Sequence, residues 1–182
     1  TKLIVFTVGI FGLNSGTFKF WSFAALLNSG SLGGLVGEND GLIADSHASG
    51  QVQGATAVVI TADGPAGLVS DNRGTITRSY ATGVVVGECN DSHCGGAAGL
   101  VSDNFYGVIS QSYATGDVEA GRCGAESCGY AAGLVLQNTG AINQSYSTGR
   151  VIANGCIDPS NCGAGAALVY SNAGKIDQSF AT

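Results

Sequence analysis

The chain has 182 residues, of which 30 are Gly, with only 2 Pro, no Met and 11% charged residues. That balance excludes a helical protein and suits short strands joined by tight turns, in one domain long enough for a substantial core. Seven Lys and Arg against 13 acidic residues give a net charge of −6, so no clustered basic surface is available for a nucleic acid. No apolar run of about 18 residues is present, and no membrane span is expected.

Residues 1–32 hold five of the seven Phe (Phe6, Phe11, Phe18, Phe20, Phe23) and the single Trp21. The run Leu3, Ile4, Val5, Phe6, Val8, Ile10, Phe11 has the length and β-branched content of a strand buried on both faces. A signal-peptide apolar region is its alternative reading. Phe18 to Phe23 are expected to cap whatever core follows with bulky rings.

From position 33 to 182 one motif recurs five times, at a nearly constant spacing of about 33 residues. Its columns are Leu35, Leu68, Leu100, Leu134, Leu168; Asn39, Asn72, Asn104, Asn138, Asn172; Ile43, Ile76, Ile109, Ile142, Ile176; and Ser46, Ser79, Ser112, Ser145, Ser179. A fixed period of this length means stacked supersecondary units, none able to bury its apolar face alone. In the third repeat, Gly99–Val101 reads as a strand and Asn104–Gly107 as a turn. Val108–Tyr113 is a second strand, Ala114–Gly116 a turn, and Asp117–Glu119 a third strand with Val118 facing in. The expectation is an all-β parallel β-helix, a β-solenoid of about five coils of about 33 residues. Two smaller coils per repeat would fit the same period.

The in-register columns also account for the polar residues. Stacked Asn amides can hydrogen-bond from coil to coil. The column Gly41, Gly74, Gly107, Gly140, Gly174 reads as a turn position with positive φ, and His47, Tyr80, Tyr113, Tyr146, Phe180 as an aromatic stack.

Six cysteines fall in three close pairs: Cys89 and Cys94, Cys123 and Cys128, Cys156 and Cys162. Each column of the repeat holds three of them, so pairing down a column strands a thiol, whereas pairing within each loop uses all six. Three local disulfides, and hence an oxidising compartment, are expected. Each closes a very short loop and so stabilises by less than the ~3 kcal/mol of a 15-residue loop. A zinc site is the rival, because His93 adjoins Cys94, but the other two loops carry no His.

The stretches Gly-Gly-Leu-Val-Gly-Glu-Asn-Asp-Gly-Leu-Ile (33–43) and Gly-Leu-Val-Ser-Asp-Asn-Arg-Gly-Thr-Ile-Thr-Arg-Ser-Tyr-Ala-Thr-Gly (67–83) resemble the GLUG repeat. That repeat is found in bacterial secreted β-helical proteins, including filamentous-haemagglutinin-like adhesins and the non-catalytic regions of IgA-specific metallopeptidases. The resemblance spans about residues 33–182 and implies an extracellular or cell-surface bacterial β-solenoid.

Candidate chemistry is sparse. The column before the Asn ladder, Glu38, Asp71, Asp103, followed by Gln137 and Ser171, offers a weak Ca²⁺ or acid/base candidate near Arg73. A solvated turn edge is the competing reading. His-Glu-x-x-His, Gly-x-Ser-x-Gly and phosphate-loop motifs are all absent. No catalytic residue and no cofactor is expected.

The last repeat stops at Phe180-Ala181-Thr182, before the Val strand of the earlier ones, while residues 3–11 offer a surplus apolar strand. Head-to-tail homopolymerisation is therefore expected, with Leu3–Phe11 completing a neighbour's sheet by strand addition. The segment Ala57-Val58-Val59-Ile60 is a second acceptor. In the alternative, residues 1–32 fold back as a cap on their own solenoid. The function expected is that of a structural subunit of an extracellular fibre with a surface or biofilm role. A repeat segment of a larger secreted adhesin and a carbohydrate-active β-helix enzyme are the other two readings. The Tyr column could also bind cell-surface glycans.

Overall fold

The computed structural model describes residues 10–14, 17–18, 21–22, 26–29, 32–55, 64–90, 93–94, 96–120, 129–153 and 163–182. They form a parallel β-solenoid with no helix, with a repeat of about 33 residues. One turn of the chain is laid down as four short strands. In the third repeat these are Val101–Asn104, Val108–Ser110, Tyr113–Ala114 and Val118–Ala120. Each joins a separate sheet with its counterparts, so the molecule has an Asn, an Ile, a Tyr and a Val sheet, named here for their most regular column. A fifth, three-stranded sheet of Ala97–Ala98, Ala131–Ala132 and Gly165–Ala166 carries the returning ends of the excursions that follow the Val sheet.

Register is constant down the Ile and Val columns of the repeats. Ile43, Ile76, Ile109, Ile142 and Ile176 are direct partners, as are Val52, Val85, Val118 and Val151. A single slip would turn every inward side chain outward, and the buried columns are what forbid it. Leu35, Leu68, Leu100, Leu134, the Ile column as far as Ile142 and Ala48, Ala81 and Ala114 form one continuous core. Burying a Leu or Ile contributes about 1.5–3 kcal/mol, but only when a coil lies above and below it, so stability belongs to the stack.

Three expectations change. Four of the sheets hold more strands than the five expected coils supply, because an additional turn precedes the first repeat. Its strands are Ile10–Asn14, Thr17–Phe18, Trp21–Ser22 and Leu26–Ser29, which pair with the first repeat's four strands. Residues read as a strand and a cap thus lay down a further turn of the same solenoid. Second, the stretch Val108–Tyr113 is broken in two at Gln111, whose φ is 50°. The same left-handed bend occurs at Asp45, Arg78, Gln144 and Gln178. Third, Gly74, Gly107, Gly140 and Gly174 of the Asn corner are not positive-φ residues. They are glycines because of crowding: a Cβ on Gly140 would lie 2.1 Å from the Gly107 carbonyl oxygen, and one on Gly74 2.1 Å from that of Gly41.

Candidate functional site

The ordered chemistry of this protein lies in ladders that run the length of the stack. At the end of the Asn-sheet strand in each of the first four repeats the amide of Asn39, Asn72, Asn104 or Asn138 is buried, where no water can satisfy it. Asn39 Nδ2 donates to Asn72 Oδ1, Asn72 to Asn104, Asn104 to Asn138, and Asn138 to Asn172, each at 2.7 Å. The same Nδ2 atoms reach the carbonyl of the corner glycine, as from Asn104 to Gly107 at 3.2 Å. The Asn ladder runs through all five repeats.

A second ladder uses serine. Ser46 N donates to Ser79 Oγ, Ser79 N to Ser112 Oγ, Ser112 N to Ser145 Oγ and Ser145 N to Ser179 Oγ, at 3.1–3.2 Å. Each hydroxyl in turn donates to the carbonyl two positions earlier, for example Ser112 to Ser110 at 2.8 Å. The Oγ atoms of Ser79, Ser112, Ser145 and Ser179 each therefore accept one bond and donate one. Ser46 is a structural rung, and its neighbour His47 stacks on Tyr80, so the Ser46–His47 adjacency is not a nucleophile–base pair.

The aromatic column is a face-to-face stack. Ring centroids lie 4.8 Å apart for His47–Tyr80, 4.7 Å for Tyr80–Tyr113, 4.9 Å for Tyr113–Tyr146 and 5.3 Å for Tyr146–Phe180, with planes within 8°. The spacing is the strand-to-strand distance. Because the faces of Tyr80, Tyr113 and Tyr146 are covered by their neighbours in the stack, these three tyrosines offer a sugar ring only edges, and the expected glycan-binding strip is not supported. Burial, reinforced by the phenols of Tyr80 and Tyr146, raises the pKa of Tyr113.

Outside, charge is paired between coils. Arg78 makes a two-pronged bond to Asp45, 2.6 and 2.9 Å, at the left-handed bend. Higher in that column Gln111 donates to Gln144 and Gln144 to Gln178. Arg150 reaches Asp117 through its backbone N–H and its guanidinium, which holds the Asp117 carboxyl below its usual range. These pairs are exposed and screened by solvent, so each contributes little to stability.

Glu38, Asp71 and Asp103 do stand in register on adjacent strands, followed by Gln137 and Ser171. Arg73 binds the Glu38 carboxylate and lies 4.0 Å from Asp40. Among the described residues no three His, Cys, Asp or Glu side chains gather as a metal site.

Of the cysteines, the backbone of Val85–Asn90 and His93–Cys94 pairs antiparallel, with Cys89 opposing Cys94 and Asn90 opposing His93. Cys123, Cys128, Cys156 and Cys162 lie outside the described residues, and disulfide closure is not shown. So do Leu3, Ile4, Val5, Phe6 and Val8, and Ala57 to Ile60. Ile10 and Phe11 belong to the strand Ile10–Asn14, whose partner is the chain's own Val36–Asn39. Strand donation to a neighbour is not supported by that pairing.

One feature escaped sequence reasoning. Where the other corners have a single residue between Asn and Gly (Asp40, Arg73, Thr139, Ala173), the third repeat has two, Phe105 and Tyr106. Their rings meet edge to face at 4.6 Å, and Tyr106 has a φ of 59°. The signal that marks it is a mismatch between columns: the interval from Asn72 to Asn104 is shorter than that from Ile76 to Ile109.

Residues 28–53 match the GLUG motif. The β-solenoid, repeating that motif's columns, is consistent with a GLUG-repeat protein. No curated protein and no solved structure matches the chain. No helix among the described residues is long and apolar enough to cross a membrane.

Proposed function

We propose that this chain is a rigid, non-catalytic rod module of an extracellular bacterial repeat protein of the adhesin type, whose work is to hold and space what it carries. The observation that carries the reading is the continuity of the Asn, Ser and aromatic ladders through the five repeats. The inward amides and hydroxyls of those ladders are committed to the neighbouring coil, which stiffens the stack and leaves them no capacity to act on a substrate. The GLUG motif points to a repeat-containing extracellular protein. The cysteine pattern favours secretion into an oxidising space, and a surface or biofilm setting goes with it. The opposition of Cys89 and Cys94 supports a local disulfide there, since cross-strand partners of this kind have Cα atoms within disulfide reach.

Homopolymerisation into a fibre is the second reading. What favours it is the constant register of the Ile and Tyr sheets, whose parallel edges suit coil-on-coil stacking. The strand-exchange version is weakened by the home pairing of Ile10–Asn14.

The test is antibody labelling of intact producing cells, with negative-stain microscopy of the purified oxidised protein alongside. Labelling without permeabilisation and short monodisperse rods are expected. Labelling only after permeabilisation would overturn the extracellular assignment, and uniform filaments would replace the module by the fibre. Polysaccharide cleavage that disappears in Asp71→Asn would overturn the non-catalytic role.

A further inference from the structure

The Phe105–Tyr106 corner has no architectural reason to exist. The other described corners close with one residue between Asn and Gly, and their amides ladder equally well. The added residue forces a bulky side chain into the left-handed region, φ 59° at Tyr106, which is uncommon for such residues and is sustained only where neighbours hold it. Thr139 is that neighbour: its hydroxyl accepts from Tyr106 N at 3.2 Å and donates to Asn104 O at 3.3 Å. Below, Phe105 N donates to Asn72 O and Val108 N to Gly74 O, both at 2.9 Å, so the corner sits over Arg73. The result is an anchored, outward aromatic pair. Tyr106 is 74% exposed, Phe105 48% and Val108 37%, the most concentrated apolar exposure among the described residues.

We infer that this corner is a contact site for a neutral saccharide, one or two pyranose units of a glycan chain. Three properties select that occupant. The patch is three side chains wide, far below the roughly 800 Å² per partner that a stable protein interface needs, and comparable to a sugar ring. Tyr106, unlike Tyr80, Tyr113 and Tyr146, is not enclosed in the ring stack, and the electron-rich face of a phenol attracts the polarised C–H face of a pyranose. The rim is polar and net acidic: Thr75 and Thr139 stand on the rungs beside the patch, and Asp103 on its own rung and Asp71 on the next outnumber Arg73, whose guanidinium is turned to Glu38 one rung further on. Hydroxyl groups find partners there, whereas an anionic polysaccharide is repelled. The inference stands apart from the mechanical role and does not depend on it.

The test is NMR titration of the whole chain with cellohexaose, chitohexaose and a galactan hexamer as neutral probes and a hyaluronan hexamer as the anionic one. Shifts of the Tyr106 and Phe105 ring protons are expected with at least one neutral probe and not with hyaluronan. Tyr106→Ala should weaken binding at least tenfold with the melting temperature unchanged. Deleting Tyr106, which restores the corner of the other repeats, should abolish binding in a fully folded protein and serves if the point variant misfolds. No shift with any neutral probe overturns the inference, as does binding that survives the deletion. Equal binding to a mucin before and after chemical deglycosylation identifies a protein partner and also overturns it.

Discussion

Replacing Asn104 by Ala removes the middle rung of the amide ladder. Three hydrogen bonds vanish at once: one accepted from Asn72 Nδ2 and one donated to Asn138 Oδ1, both 2.7 Å long and buried, and a 3.2 Å bond to Gly107 O, which keeps the Ala141 N–H. The partners are not wholly orphaned: Asn72 Nδ2 keeps a 3.4 Å bond to Gly74 O, and Asn138 Oδ1 keeps the Gly140 N–H at 3.2 Å. A buried group left without its partner costs about 1–3 kcal/mol. With two groups each partly compensated, the loss should be about 2–4 kcal/mol. At a urea slope of about 2 kcal/mol/M, the unfolding midpoint falls by about 1–2 M. Asn172→Ala is the control. It removes a single ladder bond, from Asn138, at an exposed position where water substitutes, and should cost under about 1 kcal/mol. Urea denaturation followed by far-ultraviolet circular dichroism measures both. Equal costs at the two positions, or a loss below about 1 kcal/mol at Asn104, would refute the claim that the amides hold the stack together.

Gly140→Ala should destabilise by about 2–4 kcal/mol, because the new methyl meets the Gly107 carbonyl oxygen at 2.1 Å and backbone cannot retreat; thermal melting reads it. At the left-handed bend, Gln111→Val should cost about 1–2 kcal/mol more than Gln111→Gly. A β-branched residue is strained at φ 50°, while glycine exchanges that strain for unfolded-state entropy. The raised pKa of Tyr113 sets an alkaline limit. The folded chain keeps this proton longer than the unfolded one, so the contribution is fully present below the unfolded value of about 10 and is lost as pH rises through the folded one. Melting temperatures taken across that alkaline range should fall, and fall less steeply in Tyr113→Phe.

The Leu, Ile, Val, Asn and Ser columns were legible because burial ties each to one chemistry at a fixed spacing. The bend at Asp45, Arg78, Gln111, Gln144 and Gln178 was not, since its requirement is a backbone angle and the residues that meet it are exposed and change from Asp through Arg to Gln along the column. The first turn was missed for a different reason. The intervals from Asn14 to Asn39, from Trp21 to His47 and from Leu26 to Val52 are all much shorter than the interval between later partners such as Asn39 and Asn72. The period of the five repeats counts the coil plus its excursion. The first turn has a far shorter excursion, so it falls out of the repeat although its strands still pair in parallel, with a register shift between Ile10 and Leu13. Similarly, the reading of corner glycines as positive-φ residues failed because two different constraints both select glycine, and only the folded backbone separates crowding from handedness.

Coil and excursion obey different rules on length. From the Leu to the Val column the first, second and fourth repeats are identical in length (35–52, 68–85, 134–151), and the third (100–118) exceeds them by the inserted Tyr106 alone. From the Val column to the next Leu (52–68, 85–100, 118–134, 151–168) three different lengths occur in four excursions. The excursions vary because their length is not set by stacking, whereas the coil is fixed by partners above and below. Deletions should therefore separate cleanly. Removing Tyr106 takes the third coil to the common length and should leave stability within about 1 kcal/mol of the parent, with relief of its strained φ offsetting the lost ring contact. Removing Ser110, inside a strand, shifts Ser112 and Tyr113 by one position against Ser79, Ser145, Tyr80 and Tyr146. That breaks the serine and aromatic ladders in one coil and turns its interior outward. Loss of the single unfolding transition, or failure to fold, is expected there. If both deletions cost the same, length in the coil is not what the stack enforces, and the insertion at Tyr106 loses its standing as a departure that needs a reason.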